Sequence, residues 1–169
     1  MNMTQLHATP YDTSSNGFYF DSYEQYIEKS NRLHNSYGQP VEEFEIQFID
    51  GNLYQLFDAC CINQCNLKIW FERVESLSTE QQIKLCYRCE VLGDTLIQGL
   101  DKLDDEGELS DSSLMEYIYN YVDDIDLFDN ANIVVQRYFD YEAYAQDLVI
   151  NGEIDKFSYQ NTNYVCFGF

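Results

Sequence analysis

Between Asp101 and Asp129 the chain places eleven carboxylates (Asp101, Asp104, Asp105, Glu106, Glu108, Asp111, Glu116, Asp123, Asp124, Asp126 and Asp129) against a single base, Lys102. Twelve apolar side chains run through the same stretch: Leu103, Leu109, Leu114, Met115, Tyr117, Ile118, Tyr119, Tyr121, Val122, Ile125, Leu127 and Phe128. A solvated acidic tail has no use for those residues, and a buried core has no room for those charges. The interleaving therefore predicts a folded body with an acidic shell. The imbalance extends to all 169 residues, thirty acids against nine bases, for a formal charge of −21. With 45% hydrophobic and 16% aromatic content, the chain folds against its own repulsion. A retained, destabilising charge points to a basic partner or to imitation of a polyanion.

Charge is unevenly spread. Residues 1–51 carry net −6, 52–100 net −2, 101–129 net −10 and 130–169 net −3. An anionic membrane surface repels such a chain, and so does DNA, so neither is expected as a partner. No run approaches the roughly 18–20 apolar residues that cross a bilayer. Met1–Thr13 lacks the basic and apolar regions of a secretory signal. A cytoplasmic location is expected.

The first 51 residues read as an α+β unit. Gln5–Ala8 and Phe18–Phe20 are short strands around a turn-rich Thr13–Gly17, and Ser22 with Gln25 opens a helix to about His34 that buries Tyr23, Tyr26, Ile27 and Leu33. Alternation over 43–49 makes a half-buried strand, with Phe44, Ile46 and Phe48 inward and Glu43, Glu45 and Gln47 outward. Residues 52–94 read as a helical middle: 53–59, 66–75, and a helix from the Ser78/Gln81 capping box to about Leu92, stopped at Gly93. Residues 95–169 read as an acidic α+β domain with helices from Ser113 to about Asp123 and from Asp140 to about Ile150. A hairpin of 153–159 and 164–169 follows, turning at 160–163. The expected fold class is thus α+β, a chain of three small domains at 1–51, 52–94 and 95–169.

Cys61-x3-Cys65 and Cys86-x2-Cys89 have spacings a four-thiolate zinc site could use. The same spacings place small side chains on one buried helix face, and core packing is the expectation for both pairs. An EF-hand loop on Gly107 would need an acid at 102, where Lys102 stands. The only histidines, His7 and His34, read as surface residues, and no phosphate loop, nucleophile elbow or metalloprotease helix occurs. No enzymatic activity, metal or cofactor is expected.

Three segments, 8–12 (ATPYD), 16–20 (NGFYF) and 41–51 (VEEFEIQFIDG), resemble the N-terminal domain of the ArdA antirestriction family. Residues 138–148 (YFDYEAYAQDL) are similar to that family's near-terminal Tyr-Ile-Asp-Tyr-x-Ala-x-Ala-Arg-Asp-Leu stretch, with Gln146 in place of Arg. The resemblance runs from about residue 8 to the end. It implies a DNA mimic carried by a mobile element, an elongated homodimer of three-domain chains. The implied partner is a Type I restriction–modification enzyme, bound at its methyltransferase core of specificity and modification subunits. The family's antirestriction motif maps to about Leu127–Tyr141, associated with the dimer interface; here Asp129 and Asn132 stand where relatives often have Gly and Pro.

Duplex DNA carries about one charge per 1.7 Å of axis, so −21 matches roughly 36 Å of duplex. The carboxylates expected to stand for phosphates are Glu42, Glu43, Glu45 and Asp50, then Asp101, Asp104, Asp105, Glu106, Glu108, Asp111, Asp123, Asp124, Asp126 and Asp129. Glu116 is a weaker candidate, and Asp140 is expected to cap a helix. Phe128, Ile133, Val134, Val135 and Tyr138 are the candidates for a dimer contact, with core burial the alternative. Two other readings share the charge: mimicry aimed at another DNA-binding or defence protein, and an acidic binder or chaperone of basic proteins.

Overall fold

The computed structural model describes residues 4–105 and 107–169, which form two compact units, Met1–Leu103 and Asp104–Phe169. Both are α+β with a three-stranded antiparallel sheet.

In the first unit β1 (Gln5–Pro10) is central, flanked by β2 (Phe18–Phe20) and β3 (Phe44–Asp50). Leu6 and Ala8 point into the core, Leu6 opposite Phe20 and Phe48, Ala8 opposite Ile46, with Phe44 buried opposite Pro10. The strand therefore alternates as its sequence predicts, although Phe48 is only half-buried. Gly17 permits the return from β1, since a Cβ there would lie 2.5 Å from the Ala8 carbonyl oxygen. Helix α1 (Tyr23–Arg32), capped by Ser22, covers the sheet. Tyr26 is buried and Tyr23 and Leu33 half-buried, but Ile27 is 38% exposed and not in the core as expected. A ten-residue helix against a small sheet buries a single narrow stripe, and Ile27 falls beside it.

Helices α2 (Tyr54–Ala59), α3 (Leu67–Ile69), α4 (Thr79–Glu90) and α5 (Leu96–Asp101) complete the unit. The expected 66–75 helix is α3 continued by a π-helical turn over Trp70–Val74, where the Glu75 N–H reaches the Trp70 carbonyl. The wide turn sends both Trp70 and Val74 fully into the core. The Ser78/Gln81 capping box forms, and Gly93 takes φ +75° after α4. A second box, Thr95/Gln98, opens α5, a helix the sequence reading missed; it packs on α4 within the first unit.

In the second unit the strand order is β4 (Glu108–Ser110), β6 (Thr162–Phe167), β5 (Ile154–Tyr159). The hairpin turns on Gln160 and Asn161 alone, both at positive φ, so β6 begins at Thr162, earlier than expected. Helices α6 (Leu114–Asp124) and α8 (Tyr141–Ile150) supply Ile118, Val122, Ala145 and Leu148 to a core shared with Ile154 and Val165. Between them lies the short α7 (Ile133–Tyr138), also unforeseen. Among the described residues no helix is long and apolar enough to cross a membrane.

Candidate carboxylate surface

Helix α6 shows how an apolar-rich acidic sequence becomes a charged face. Ser113 caps it by accepting from the Glu116 N–H, and Ile118 and Val122, one turn apart, are drawn into the core. Asp123 and Asp124 then occupy the last turn, next to the negative end of the helix dipole, with no basic residue in that turn. That placement is electrostatically unfavourable. The helix closes with the Leu127 N–H bonded to the Val122 carbonyl and Asp126 in the left-handed region at φ 49°, where glycine is the usual occupant. The chain then winds through Asp129, whose N–H meets the Asp126 carbonyl, to Asn132, whose side chain caps α7. All four aspartates are exposed.

The structure joins part of this cluster to β4. Tyr117, stacked on Tyr121 and set against Phe167, has its phenol pushed up to about 12, first by burial and then by the nearby carboxylates Glu108 and Asp124. Strand and helix thus bring two acids to one tyrosine. Asp104, Asp105, Glu108 and Asp111 are exposed, and Glu116 is exposed on α6; Glu106 lies outside the described residues. Asp140 caps α8 as expected, its Oδ1 accepting from the Ala143 N–H at 3.0 Å.

In the first unit Glu45 stands on the outward face of β3 opposite Thr9, and Glu42 and Glu43 lead into the strand. Gln64 anchors this entrance, donating to the Glu42 carbonyl and accepting from the Phe44 N–H. Asp50 accepts from the Gly51 N–H. All four acids are exposed. Asp101 differs: at the end of α5 its Oδ1 is 3.5 Å from an Arg73 guanidinium nitrogen, which offsets part of its charge.

Other acids in this unit have structural duties. Asp94 bonds Lys102 and Arg88, which hold its carboxyl below the usual range, the Lys102 bond most of all. Its side chain is only 12% exposed. Asp12 is also held low, by Ser14 and Asn35. Burial pushes Glu75 up against weaker help from Thr4 and Trp70.

The apolar candidates divide. Phe128 packs edge-on against Phe139 at 5.0 Å and on the core of its own unit. Ile133, Val134, Val135 and Tyr138 are more than half exposed along α7 and are not core residues. The cysteines depart from expectation as well. Cys86 is buried and Cys89 half-buried on α4, but Cys61 and Cys65 are exposed because α2 ends before them. Among the described residues no three His, Cys, Asp or Glu side chains are grouped to hold a metal ion.

A family model described as antirestriction protein (ArdA) matches residues 9–162. Neither the curated proteins nor the solved structures contain a match to the chain.

Proposed function

The chain belongs to the ArdA family of antirestriction proteins, and from that premise we propose that it acts as a DNA mimic in the DNA-binding groove of Type I restriction–modification enzymes. One observation carries this reading: the second unit sets fifteen acids against two bases, Arg137 and Lys156, and keeps four neighbouring aspartates exposed, Asp123 and Asp124 where the helix dipole disfavours them, Asp126 where the backbone does, and Asp129 beside them. Costly placement on an ordered frame is what a fixed array of phosphate substitutes requires. Each carboxylate offers two acceptors to Lys and Arg side chains already disposed for phosphates. Folding has removed most of the array's conformational freedom beforehand, so little ordering cost remains at binding.

Glu42, Glu43, Glu45 and Asp50 extend the array from the first unit, and Asp101, Asp104, Asp105, Glu106, Glu108 and Asp111 continue it. In this reading the chain is an elongated series of three parts, 1–51, 52–94 and 95–169, working in the cytoplasm of a host entered by a mobile element. Its apolar α7 residues join two copies.

Equilibrium competition tests the proposal. A labelled duplex is bound to a Type I methyltransferase core and this protein is titrated in. Displacement of the duplex, with an inhibition constant that rises steeply with salt, is the expected result. Binding to the DNA-saturated enzyme without displacement would refute groove mimicry. Equal affinity for unrelated basic proteins would instead favour a general acidic binder.

A further inference from the structure

Of the six cysteines, Cys60, Cys86 and Cys166 are buried, Cys89 is half-buried, and Cys61 and Cys65 are exposed. Cys60 caps the C-terminal end of α2 and is buried, while Cys89 sits half-buried in the last turn of α4. Their sulfurs are 3.7 Å apart, with the Cys60 S–H donating to Cys89. This bond lowers the Cys89 pKa against the opposing effects of burial and Asp94, and raises that of Cys60, where burial acts in the same direction. Cys86, one turn earlier, is buried with its sulfur 3.7 Å from Glu90 Oε2, and its pKa is also raised. A half-buried cysteine, the acceptor of the bond, therefore faces a buried one, the donor, across a helix–helix contact. That is the arrangement of an attacking and a resolving cysteine.

We propose that Cys60 and Cys89 are an oxidisable pair, closed to an intramolecular disulfide by small-molecule disulfides of the oxidised glutathione class. The Cys89 thiolate attacks one sulfur of the oxidant, forms a mixed disulfide and expels one thiolate. Cys60 then attacks the Cys89 sulfur, the second thiol of the oxidant departs, and the Cys60 proton passes to it. Two protein thiols lose two electrons, and the oxidant is reduced to two thiols. The new bond fastens α2 to α4 and closes the loop from 60 to 89. The inference stands independently of the partner proposed above.

The test uses the full chain with Cys61→Ser and Cys65→Ser, exposed positions whose replacement removes competing thiols. After incubation with oxidised glutathione, unreduced peptide mapping is expected to recover Cys60 joined to Cys89, with two thiols lost. Thermal unfolding followed by Trp70, the sole tryptophan, should shift up by about 5–10 °C and return on reduction. Cys60→Ser in that background should trap the glutathione adduct on Cys89, and Cys89→Ser should take up none at Cys60. The same peptide map made on the wild-type chain decides the matter if a variant fails to fold. Cross-links only between chains or at Cys86, or an unmodified Cys89 in Cys60→Ser, would overturn the proposal.

Discussion

Each unit carries fifteen acids, but the first has seven bases and the second two. In the first unit every base is engaged. Arg32, Lys68, Arg73, Lys84, Arg88 and Lys102 pair with carboxylates, and Lys29 donates to the Tyr19 carbonyl. Several acids there act as turn locks and links, as Asp12 and Asp94 do. In the second unit carboxylates crowd onto a helix end and a strand edge with few cations to offset them. Equal numbers of acids thus serve different ends. One unit uses part of its charge to hold itself together, and the other displays nearly all of it at a cost in stability.

The sharpest test of that contrast is Asp94→Asn. It removes the Asp94 carboxylate from Arg88, whose side chain is only 6% exposed, and from Lys102, and should destabilise the first unit by about 3 kcal/mol, measured by urea unfolding at Trp70. The depressed Asp94 pKa sets the pH window: the link is intact above the ordinary aspartate value near 4 and is lost as pH falls through the lower folded value. The mutant should therefore converge with wild type only in strong acid.

In the second unit the opposite sign is expected. Replacing Asp123, Asp124, Asp126 and Asp129 together by Asn should weaken binding in the duplex competition by roughly 10–100-fold. It should also raise the stability of the unit, read by circular dichroism. A loss of stability would mean that these acids are structural, and the contrast between units would fail.

Glu75→Gln probes the exception in the first unit. Burial raises this carboxyl, so its ionisation costs folding energy at pH values above the folded pKa, and the cost fades as pH falls to the ordinary value of 4.5. The variant should be more stable at neutral pH and no different below pH 4, as urea unfolding at the two pH values would show. Smallest is the response to salt. Between low and 0.5 M salt the dichroism transition of the second unit should rise by a few °C, roughly, while the Trp70 transition moves less.

Much of the local structure was legible because it depends on neighbours in sequence. Ser78 with Gln81, Ser113 and Asp140 marked helix starts through bonds to amides three residues on. Alternation marked β3, and Gln160-Asn161-Thr162-Asn163 located the hairpin. Where reading failed, distant partners decided. The periodicity around Cys61 and Cys65 looked helical, yet α2 stops at Ala59 and leaves both in solvent. Glu108–Ser110 became a strand only because β6 offered it an open edge. Helix α7 escaped notice because its apolar residues face outward, against the pattern by which a helix is recognised.

The charge itself needed no fold to be seen. Composition determined that this chain is a polyanion with enough apolar matter to build cores, and spacing determined where most of its helices and strands begin. Only the tertiary structure decided which carboxylates remain available, since pairing of Asp94 with Arg88 and Lys102, burial of Glu75 and the meeting of Glu108 with Asp124 at Tyr117 join residues from separate turns, helices and strands. The reason is that charge is a property of a residue, whereas its neutralisation depends on distance and burial, which packing alone creates.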